Sequence, residues 1–425
     1  MKRFPVYGRG ATCRDVLAFT VRHWSRQPAR LAIIMTAMLA STLADVLMPV
    51  YSGRLIDAVA GGAAVAAPAW HSALAAFSVP IALALAAIAM RHIAFIGLND
   101  LLLKMMSDVA NEAFYHVQRF STDWHANSFA GSTVRKITRG MWALDPLNST
   151  ILVALFPSFI ILVGSTALLG WHWLVMGLIF ACGSLIYLAF SISLSLSYVA
   201  PAASLANQWD TKLGGALADA VSCNAVVKGF GAEVREDARL ANIMTKWRHR
   251  TRRSWVRVTI IGSTQAVTLV ALRVAVIGYA LLLWSHGEAT PGEIAYVLTS
   301  FVVLQGYLRD AGMHVRNVQR SVNDMEELVA IHNQQLDVAD RPEAKPIRIT
   351  TGRIDFQNVH FRYANHPLPL YSECSLSIEA GERVGLVGPS GSGKTTFVKL
   401  IQRLYDLSGG RILIDGQDVS EVTQE

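Results

Sequence analysis

Long apolar runs, each about as long as a helix that crosses a bilayer, dominate most of the chain. Four of them occupy residues 31–53, 73–98, 258–284 and, more weakly, 292–315. Residues 146–209 contain no Asp, Glu, Lys or Arg. Because a bilayer core needs about 20 apolar residues of helix, this charge-free stretch predicts two crossings joined by a tight turn at residues 170–173. The pattern therefore predicts six transmembrane helices.

Basic residues are distributed unevenly among the segments that connect these runs. The connections at 58–72, 170–173 and 285–293 contain no Lys or Arg, whereas the two long segments 99–145 and 201–257 contain many. By the positive-inside rule, the long segments and both termini are predicted to be cytoplasmic. Few prolines interrupt the long segments, so each is expected to form helices that continue below the membrane and turn back.

The N-terminal region differs from a cleaved signal peptide. Its first apolar run begins only near Leu31 and is long enough to span a bilayer, so we interpret it as a retained transmembrane helix. Residues 14–24 are predicted to form an amphipathic helix on the inner membrane surface.

Composition and charge support a membrane protein. Hydrophobic residues make up 52% of the chain and charged residues 16%, against about 25% charged residues in soluble domains. The net charge is +7, and the basic residues cluster beside apolar runs without the interleaved aromatics of a nucleic-acid binder. Membrane lipids are therefore expected partners and nucleic acid is not. The basic run at 246–253 either holds anionic headgroups or simply sets the topology.

Cysteines and intramembrane charges are the remaining candidates for chemistry. The four cysteines contain no Cys-x-x-Cys pair and are expected to be unpaired thiols without a metal site. Asp45 and Arg273 lie deep in predicted spans, which indicates either a charge pair or polar patch in a translocation cavity, or a purely structural pair. Arg91 is predicted to lie nearer the inner boundary and to snorkel toward it.

The remaining chain has the pattern of a small nucleotide-binding domain. Residues 337–348 contain two prolines among mixed charges and are interpreted as linker. Strands are predicted around Ile354 to Tyr363, at Leu376 to Ile378 and at 384–387. After the last of these comes the full G-x-x-x-x-G-K-[ST] motif, followed by apolar residues at helical spacing.

Each residue type in the motif has a chemical reason. Glycines let backbone N–H groups curl around phosphates, and the following helix N-terminus favours an anion. Lys394 is expected to reach the phosphates of ATP, and the Thr395 hydroxyl to bind Mg²⁺. The candidate nucleotide-binding residues are Tyr363, Gly388, Ser390, Gly391, Ser392, Gly393, Lys394, Thr395 and Thr396.

These features together resemble ATP-binding cassette exporters of the half-transporter type, in which the membrane domain comes first. Residues 217–233 resemble the family's second cytoplasmic loop, with a coupling helix within 222–231, and residues 124–131 resemble the first coupling helix. Phe361-Arg362-Tyr363 resembles the segment whose aromatic residue stacks on adenine, which implies that role for Tyr363. The resemblance implies a membrane all-α six-helix exporter domain followed by an α/β P-loop domain.

The resemblance also implies activity and partners. It implies ATP-driven export of a substrate by a dimer with a second half-transporter, as a homodimer or heterodimer. A lipid or hydrophobic compound is favoured as substrate, because the spans are apolar, and a bacterial inner membrane is the expected location. The expected domains are a cytoplasmic N-terminus at 1–30, the exporter domain at 31–336, a linker at 337–352 and the N-terminal portion of the P-loop domain at 353–425.

The resemblance is incomplete at the C-terminus. Up to Glu425 no Walker B strand, switch histidine or true signature motif follows the P-loop, so no catalytic residue is assigned in this chain. Leu407-Ser408-Gly409-Gly410 spells part of the signature, but it comes too soon after the P-loop and runs into a predicted strand. The chain is expected to be a truncated exporter or a fragment of a longer one. The alternative is a nucleotide-binding membrane protein without autonomous ATPase activity, acting as a sensor, a regulator or an inactive half.

Overall fold

The computed structural model describes residues 12–61, 66–127, 130–334, 341, 343–363 and 368–424. Most of these residues are helical. The helices are α1 (Cys13–Ser25), α2 (Pro28–Gly61), α3 (Ala66–Gln118), α4 (Thr122–Asn127), α5 (Ala130–Ser149), α6 (Phe156–His172), α7 (Leu174–Leu194), α8 (Ala200–Ser222), α9 (Asn224–Gly229), α10 (Glu233–Ser285), α11 (Pro291–Arg309), α12 (Ala311–Asn333) and α13 (Lys394–Ile401). The strands are β1 (Ile354–Phe361), β2 (Tyr371–Ile378), β3 (Gly409–Ile414) and β4 (Gln417–Asp418).

The chain forms two compact units, and the larger one, residues 22–103 and 144–322, contains most of the apolar helix. Among the described residues, 5 helical stretches are long and apolar enough to cross a membrane, namely Pro28–Ala60, Ala73–Gln118, Gly131–His172, Leu174–Ser222 and Glu233–Ser285. The predicted sixth crossing is helix α11, which ends at Arg309 instead of near residue 315. It is not among the 5, because polar residues dilute its apolar run.

The tight turn predicted at 170–173 is reduced to one non-helical residue. Trp173 is extended, with φ −137° and ψ 107°, and joins the last turn of α6 directly to α7. Gly170 and Gly177 make this possible, because a Cβ on Gly177 would meet the Cα of Gly170 at 2.5 Å. The short connection makes α6 and α7 antiparallel neighbours.

Two π-helical segments, Thr150–Leu155 before α6 and Ser195–Val199 before α8, interrupt otherwise continuous helix. Each ends two residues before a proline, Pro157 and Pro201. Proline has no N–H to give to the carbonyl four residues back and its ring crowds that carbonyl. A local change to wider hydrogen bonding keeps the helix continuous past such a residue.

The core of the larger unit joins α7, α10 and α11. Phe180, Tyr187 and Phe301 are among its largest fully buried side chains, and the rings of Phe180 and Phe301 meet edge to face with centroids 6.4 Å apart. The buried positions of α10 run from Ile261 through Leu269 and Val276 at helical spacing. These buried side chains hold α7, α10 and α11 together.

The long segment after α7 forms the arm that its sequence predicts. Helix α8 runs to Ser222, the short helix α9 follows, and α10 returns toward the membrane. Helix α9 therefore lies within the segment proposed to contain the second coupling helix. It has no buried residue, and Val227 alone in it is half-buried.

The smaller unit contains the described residues up to Val21, residues 104–143 and the C-terminal part of the chain from 323. Helix α4 lies in the segment proposed as the first coupling helix, of which residues 128–129 are outside the described residues. Trp124 of α4 is buried with Phe120 and Ile331. Its indole N–H donates to the side chain of Gln334 at 3.3 Å. The indole fixes α4 to the end of α12.

The C-terminal portion is an antiparallel sheet in the order β2-β1-β3-β4, with α13 packed on it. Phe356 of β1 stacks on Phe397 of α13 with ring centroids 4.5 Å apart and planes within 6°. Val359, Ile412 and Leu400 complete this core. The sheet and helix confirm an α/β domain portion.

Two sequence predictions for this portion need comment. Residues 384–387 were predicted as a strand, but they form no ladder, and Val387 is 93% exposed. A strand is defined by its pairing, and no described strand lies beside this segment, so that prediction is wrong. Of the linker, residues 337–340 and 342 lie outside the described residues, and Lys345 forms an isolated bridge with Val422.

Asp415, at the end of β3, organises the turn that leads into β1. Its carboxylate accepts hydrogen bonds from the backbone N–H groups of Thr350 at 2.6 Å, Thr351 at 2.9 Å, Gly352 at 2.9 Å and Arg353 at 2.9 Å. The Thr351 hydroxyl donates as well, and these bonds hold the pKa of the Asp415 carboxyl well below its usual range.

We expect Asp415→Asn to loosen this turn in a pH-dependent way. Because the folded pKa is lowered, the ionised carboxylate stabilises the fold above the unfolded pKa of about 3.9, and this contribution is lost as the pH falls below it. Hydrogen exchange of peptides covering 348–361, corrected for intrinsic rates, should be faster in the variant at neutral pH. The difference should shrink toward about pH 3. Asp406→Asn, which removes an equal charge from an exposed position, should show no such effect; equal effects of both variants would contradict the role of Asp415.

Candidate nucleotide-binding site

The P-loop follows the unpaired segment 384–387 and ends at the first turn of α13. Gly388, Gly391 and Gly393 have φ values of 152°, 86° and 98°, a region that side-chain-bearing residues rarely adopt. A Cβ on Gly393 would also meet the Tyr371 hydroxyl at 2.8 Å. The glycines of the motif are therefore required by the backbone path as well as by any ligand.

Lys394 folds back over the loop. Its ammonium donates to the carbonyl oxygens of Gly388 and Pro389, each at 2.8 Å. Those partners place the cation over the P-loop. The loop leads directly into α13, and the first N–H groups of a helix have no hydrogen-bond partner within the helix. A cation and unpaired N–H donors around one glycine-rich loop fit a polyphosphate such as that of ATP.

The two threonines after Lys394 lie in different surroundings. Thr395 is exposed, whereas Thr396 is buried at 5% exposure. The Thr396 hydroxyl is 2.7 Å from the hydroxyl of Tyr363. Thr395 is therefore the residue whose oxygen is open to a metal ion, and Thr396 joins the P-loop helix to Tyr363.

Tyr363 lies beyond the end of β1 and beside α13, although 25 residues separate it from Gly388 in sequence. Its ring meets Phe361 edge to face at 4.9 Å and Tyr405 at 5.3 Å. Tertiary structure thus brings the aromatic candidate to the P-loop helix. Its stacking on adenine stays a prediction.

Sequence reasoning missed two tyrosines near this site. Tyr371, the first residue of β2, donates its hydroxyl to the carbonyl of Gly393 at 2.9 Å. Tyr405 packs against Tyr363 and lies within 5.8 Å of the Lys399 ammonium. No motif marks either residue, because their positions depend on how β2 and the end of α13 fold onto the loop.

The intramembrane charges pair differently from the prediction. Asp45 of α2 forms an ion pair with Arg91 of α3 at 2.7 Å and accepts a hydrogen bond from the hydroxyl of Tyr307 of α11 at 3.1 Å. Arg273 is exposed, and no ion pair involves it among the described residues. Of the alternatives for Asp45 and Arg273, a pair between the two, in a cavity or purely structural, is therefore wrong, whereas a polar patch and the snorkelling of Arg91 stay predictions. Linear depth along separate helices does not reveal which helices are neighbours.

A chain that contains both apolar, membrane-spanning helices and a P-loop belongs to the class of membrane proteins with a nucleotide-binding domain. The family described as ABC transporter transmembrane region matches residues 31–308, and the family described as ABC transporter matches residues 371–425. The chain belongs to the ABC transporter family and is an integral membrane protein.

Individual relatives agree. The chain is 31% identical over 327 residues to the ATM1-type heavy metal exporter of Novosphingobium aromaticivorans, covering 74% of this chain and 52% of that protein. It is 30% identical to human ATP-binding cassette sub-family B member 6, over 73% of this chain and 37% of the relative. The chain thus spans about half or less of the length of these relatives.

A solved structure described as a bacterial Atm1-family ABC exporter with ATP bound matches with a TM-score of 0.75 and 26% identity. The match covers 94% of this chain and 69% of that one. It supports an exporter fold for this chain.

Proposed function

We propose that this chain is the membrane domain and the first part of the ATP-binding domain of a half-transporter that exports its substrate at the expense of ATP. The observation that carries the proposal is the P-loop at the start of α13 in the same chain as the apolar helices. We keep the domain limits 1–30, 31–336, 337–352 and 353–425 as part of the proposal.

The nucleotide-binding residues have separate roles. The backbone N–H groups of the P-loop, from Gly388 to Gly393, and the Lys394 ammonium are assigned to the phosphates, with Ser390 and Ser392 in the loop and Thr396 behind it. The exposed Thr395 hydroxyl is assigned to Mg²⁺, which neutralises phosphate charge when bound. Tyr363 is assigned to the adenine ring.

A second half-transporter completes the proposed exporter. Helix α9 is exposed except for the half-buried Val227, and the wide apolar surface of α3 includes Leu85, Ile88 and Leu103, each more than 60% exposed. Both surfaces suit contact with another chain, or with lipid in the case of α3. A homodimer and a heterodimer satisfy this equally.

The proposed location is a bacterial inner membrane with both termini in the cytoplasm. The support is the absence of Lys and Arg from the connections at 170–173 and 285–293, set against the basic segments on the opposite side.

For the substrate we retain a lipid or hydrophobic compound, supported by the apolar character of the spans. A heavy-metal species is the second candidate, because the Novosphingobium aromaticivorans relative is named for that cargo. Two transport assays in vesicles separate these candidates: one measures movement of a fluorescent lipid, and the other measures movement of a metal–thiol complex.

Nucleotide binding is the direct test of the proposed site. We expect the purified chain to bind a fluorescent ATP analogue with Mg²⁺, Lys394→Ala to abolish most binding, and Tyr363→Leu to weaken it roughly 5-fold to 150-fold, the range for loss of one aromatic–base stack. Tyr363→Phe keeps the ring and should bind nearly as well as the unchanged chain.

The outcomes also address the alternative of a nucleotide-binding protein without autonomous ATPase activity. Binding without hydrolysis by this chain, together with hydrolysis by the chain extended to the length of its relatives, supports the exporter. Binding with no hydrolysis in either form favours a sensor or an inactive half. Equal binding by the unchanged chain and Lys394→Ala contradicts the assignment of the P-loop.

A further inference from the structure

Helices α8 and α10 pack as an antiparallel pair with a regular set of cation–aromatic contacts. The guanidinium of Arg257 lies 4.4 Å from the ring centre of Tyr198, in the π-helical segment that leads into α8. It also donates to the Tyr198 carbonyl at 2.8 Å. Three turns away, the Lys246 ammonium lies 5.5 Å from the ring centre of Trp209. Positions 198 and 257 thus face each other, as do 209 and 246, so one register holds along this part of the pair.

Four cations of α10 share the side that meets these aromatic residues. Lys246, Arg250, Arg253 and Arg257 are spaced four, three and four residues apart, and residues three and four apart lie on one face of a helix. Together with Tyr198 and Trp209 they form what we name the basic groove. The groove is half-open, since Arg253 is exposed and Arg250 and Arg257 are half-buried.

The cations of the basic groove have no acidic partner within the described chain. Helix α10 contains no Asp or Glu after Asp237, and the one carboxylate that α8 brings close, Asp210, accepts instead from the indole N–H of Trp247 at 3.1 Å. No ion pair involves any of the four cations among the described residues. Like charges on one face of a helix repel, so an anion from outside the chain would be attracted to the groove and would reduce this repulsion.

Its position along the helices suggests where those anions come from. Arg257 is the last residue before the apolar run 258–284, and Tyr198 lies near the end of the charge-free stretch of α7 and α8. Tyrosine and arginine at such a boundary lie at the level of lipid headgroups. The end of the groove at Arg253 and Arg257 therefore meets the membrane surface, which is the cytoplasmic one in the proposed orientation.

We propose that this end of the basic groove binds the phosphate of an anionic phospholipid, with Arg253 and Arg257 as the phosphate-contacting cations and Tyr198 as the wall beside the glycerol. Arginine presents N–H donors in a planar fork that matches phosphate oxygens. The Tyr198 contacts hold the Arg257 guanidinium in place before a lipid arrives. The part near Lys246 lies about 16 Å further along the helix and beyond the headgroup layer.

The test measures lipid retained by the purified chain. Native mass spectrometry from a neutral detergent, with phosphatidylglycerol or phosphatidylcholine added, should show phosphatidylglycerol bound selectively. Arg253→Gln with Arg257→Gln should weaken phosphatidylglycerol binding roughly 30-fold, because each basic residue near an anionic surface strengthens binding roughly 5-fold and two are lost. The matched control is Arg248→Gln with Arg252→Gln, which removes the same charge from a different face of α10 and should leave binding unchanged.

Arg253→Lys with Arg257→Lys keeps the charge but loses the planar fork, so it should bind phosphatidylglycerol more weakly than the unchanged chain and more tightly than the glutamine pair. An unchanged unfolding midpoint of the glutamine pair in micelles separates lost contact from lost folding. Glycerol 3-phosphate should not displace the lipid; displacement at matched concentration would make the groove a site for a soluble phosphate and overturn the proposal. Equal loss of phosphatidylglycerol binding in the two double glutamine variants would show that only the general surface charge matters, and would also overturn the proposal. Retention of phosphatidylcholine equal to phosphatidylglycerol would do the same.

Discussion

Asp45→Leu is expected to destabilise the membrane unit by about 3 kcal/mol, the cost of an unpaired arginine near the centre of a bilayer. Along α2, Asp45 lies about 21 Å from Leu31 and about 18 Å from Asp57, so the ion pair is far from either surface. Without the carboxylate, Arg91 loses the partner that it contacts at 2.7 Å. Denaturant unfolding of the purified chain in mixed micelles measures the loss.

The companion variants identify the cause. Asp45→Leu with Arg91→Leu removes both charges and should recover most of the stability, because an apolar replacement for a desolvated pair is often neutral. Tyr307→Phe should cost about 1 kcal/mol, the value of one hydrogen bond. Arg273→Leu, which removes an exposed arginine from another span, should cost nothing. A large loss from Arg273→Leu that is absent when Asp45 is already replaced would instead restore the Asp45–Arg273 pairing.

Gly292→Ala should have a comparably large effect, through packing. Where the end of α2 crosses the start of α11 the backbones nearly touch: a Cβ on Gly53 would meet the Gly292 carbonyl oxygen at 2.5 Å, and a Cβ on Gly292 would overlap both Gly53 and the Asp57 carboxylate. Asp57 also accepts from the Gly292 N–H and from the Thr290 hydroxyl, each at 2.8 Å. Overpacking of this kind costs about 3 kcal/mol. Here it also displaces the Asp57 carboxylate, which caps the first turn of α11.

Gly306→Ala is the matched control on the same helix. A Cβ on Gly306 meets nothing within 4 Å, so the variant should be neutral or slightly stabilising, since alanine favours helix over glycine by up to about 1 kcal/mol. Unfolding in the same micelles compares the two. Equal stability of Gly292→Ala and Gly306→Ala would show that the α2–α11 crossing is looser than the structure has it.

Much of the architecture could be predicted because it depends on local composition. The charge-free stretch at 146–209 predicted two crossings, and only Trp173 separates helices α6 and α7. The long polar segments predicted arms, and α8, α9 and α10 form one. The wrong predictions concern features that depend on neighbouring elements. Residues 384–387 have strand composition but no described partner strand, and the pairing of Asp45 depends on which helix lies beside α2.

The candidate site divides in the same way. The P-loop motif specifies its own glycines, lysine and threonine, because phosphate binding by a single loop and one helix end is a local property of the chain. Tyr371 and Tyr405 lie beside that loop only through the packing of β1, β2 and α13, and no spacing in the sequence marks them.

By itself, then, the sequence determined the membrane-spanning segments, the family resemblance and the phosphate-binding loop, since each is read over a short continuous window of hydropathy or motif. Only the tertiary structure decided that Arg91 neutralises Asp45, that α2 and α11 cross at two glycines, and that the cations of α10 line one groove with Tyr198 and Trp209. The crossing of α2 and α11, for example, joins Asp57 to Gly292 across 235 positions. Such relations follow from how helices pack, which periodicity within a single helix does not specify.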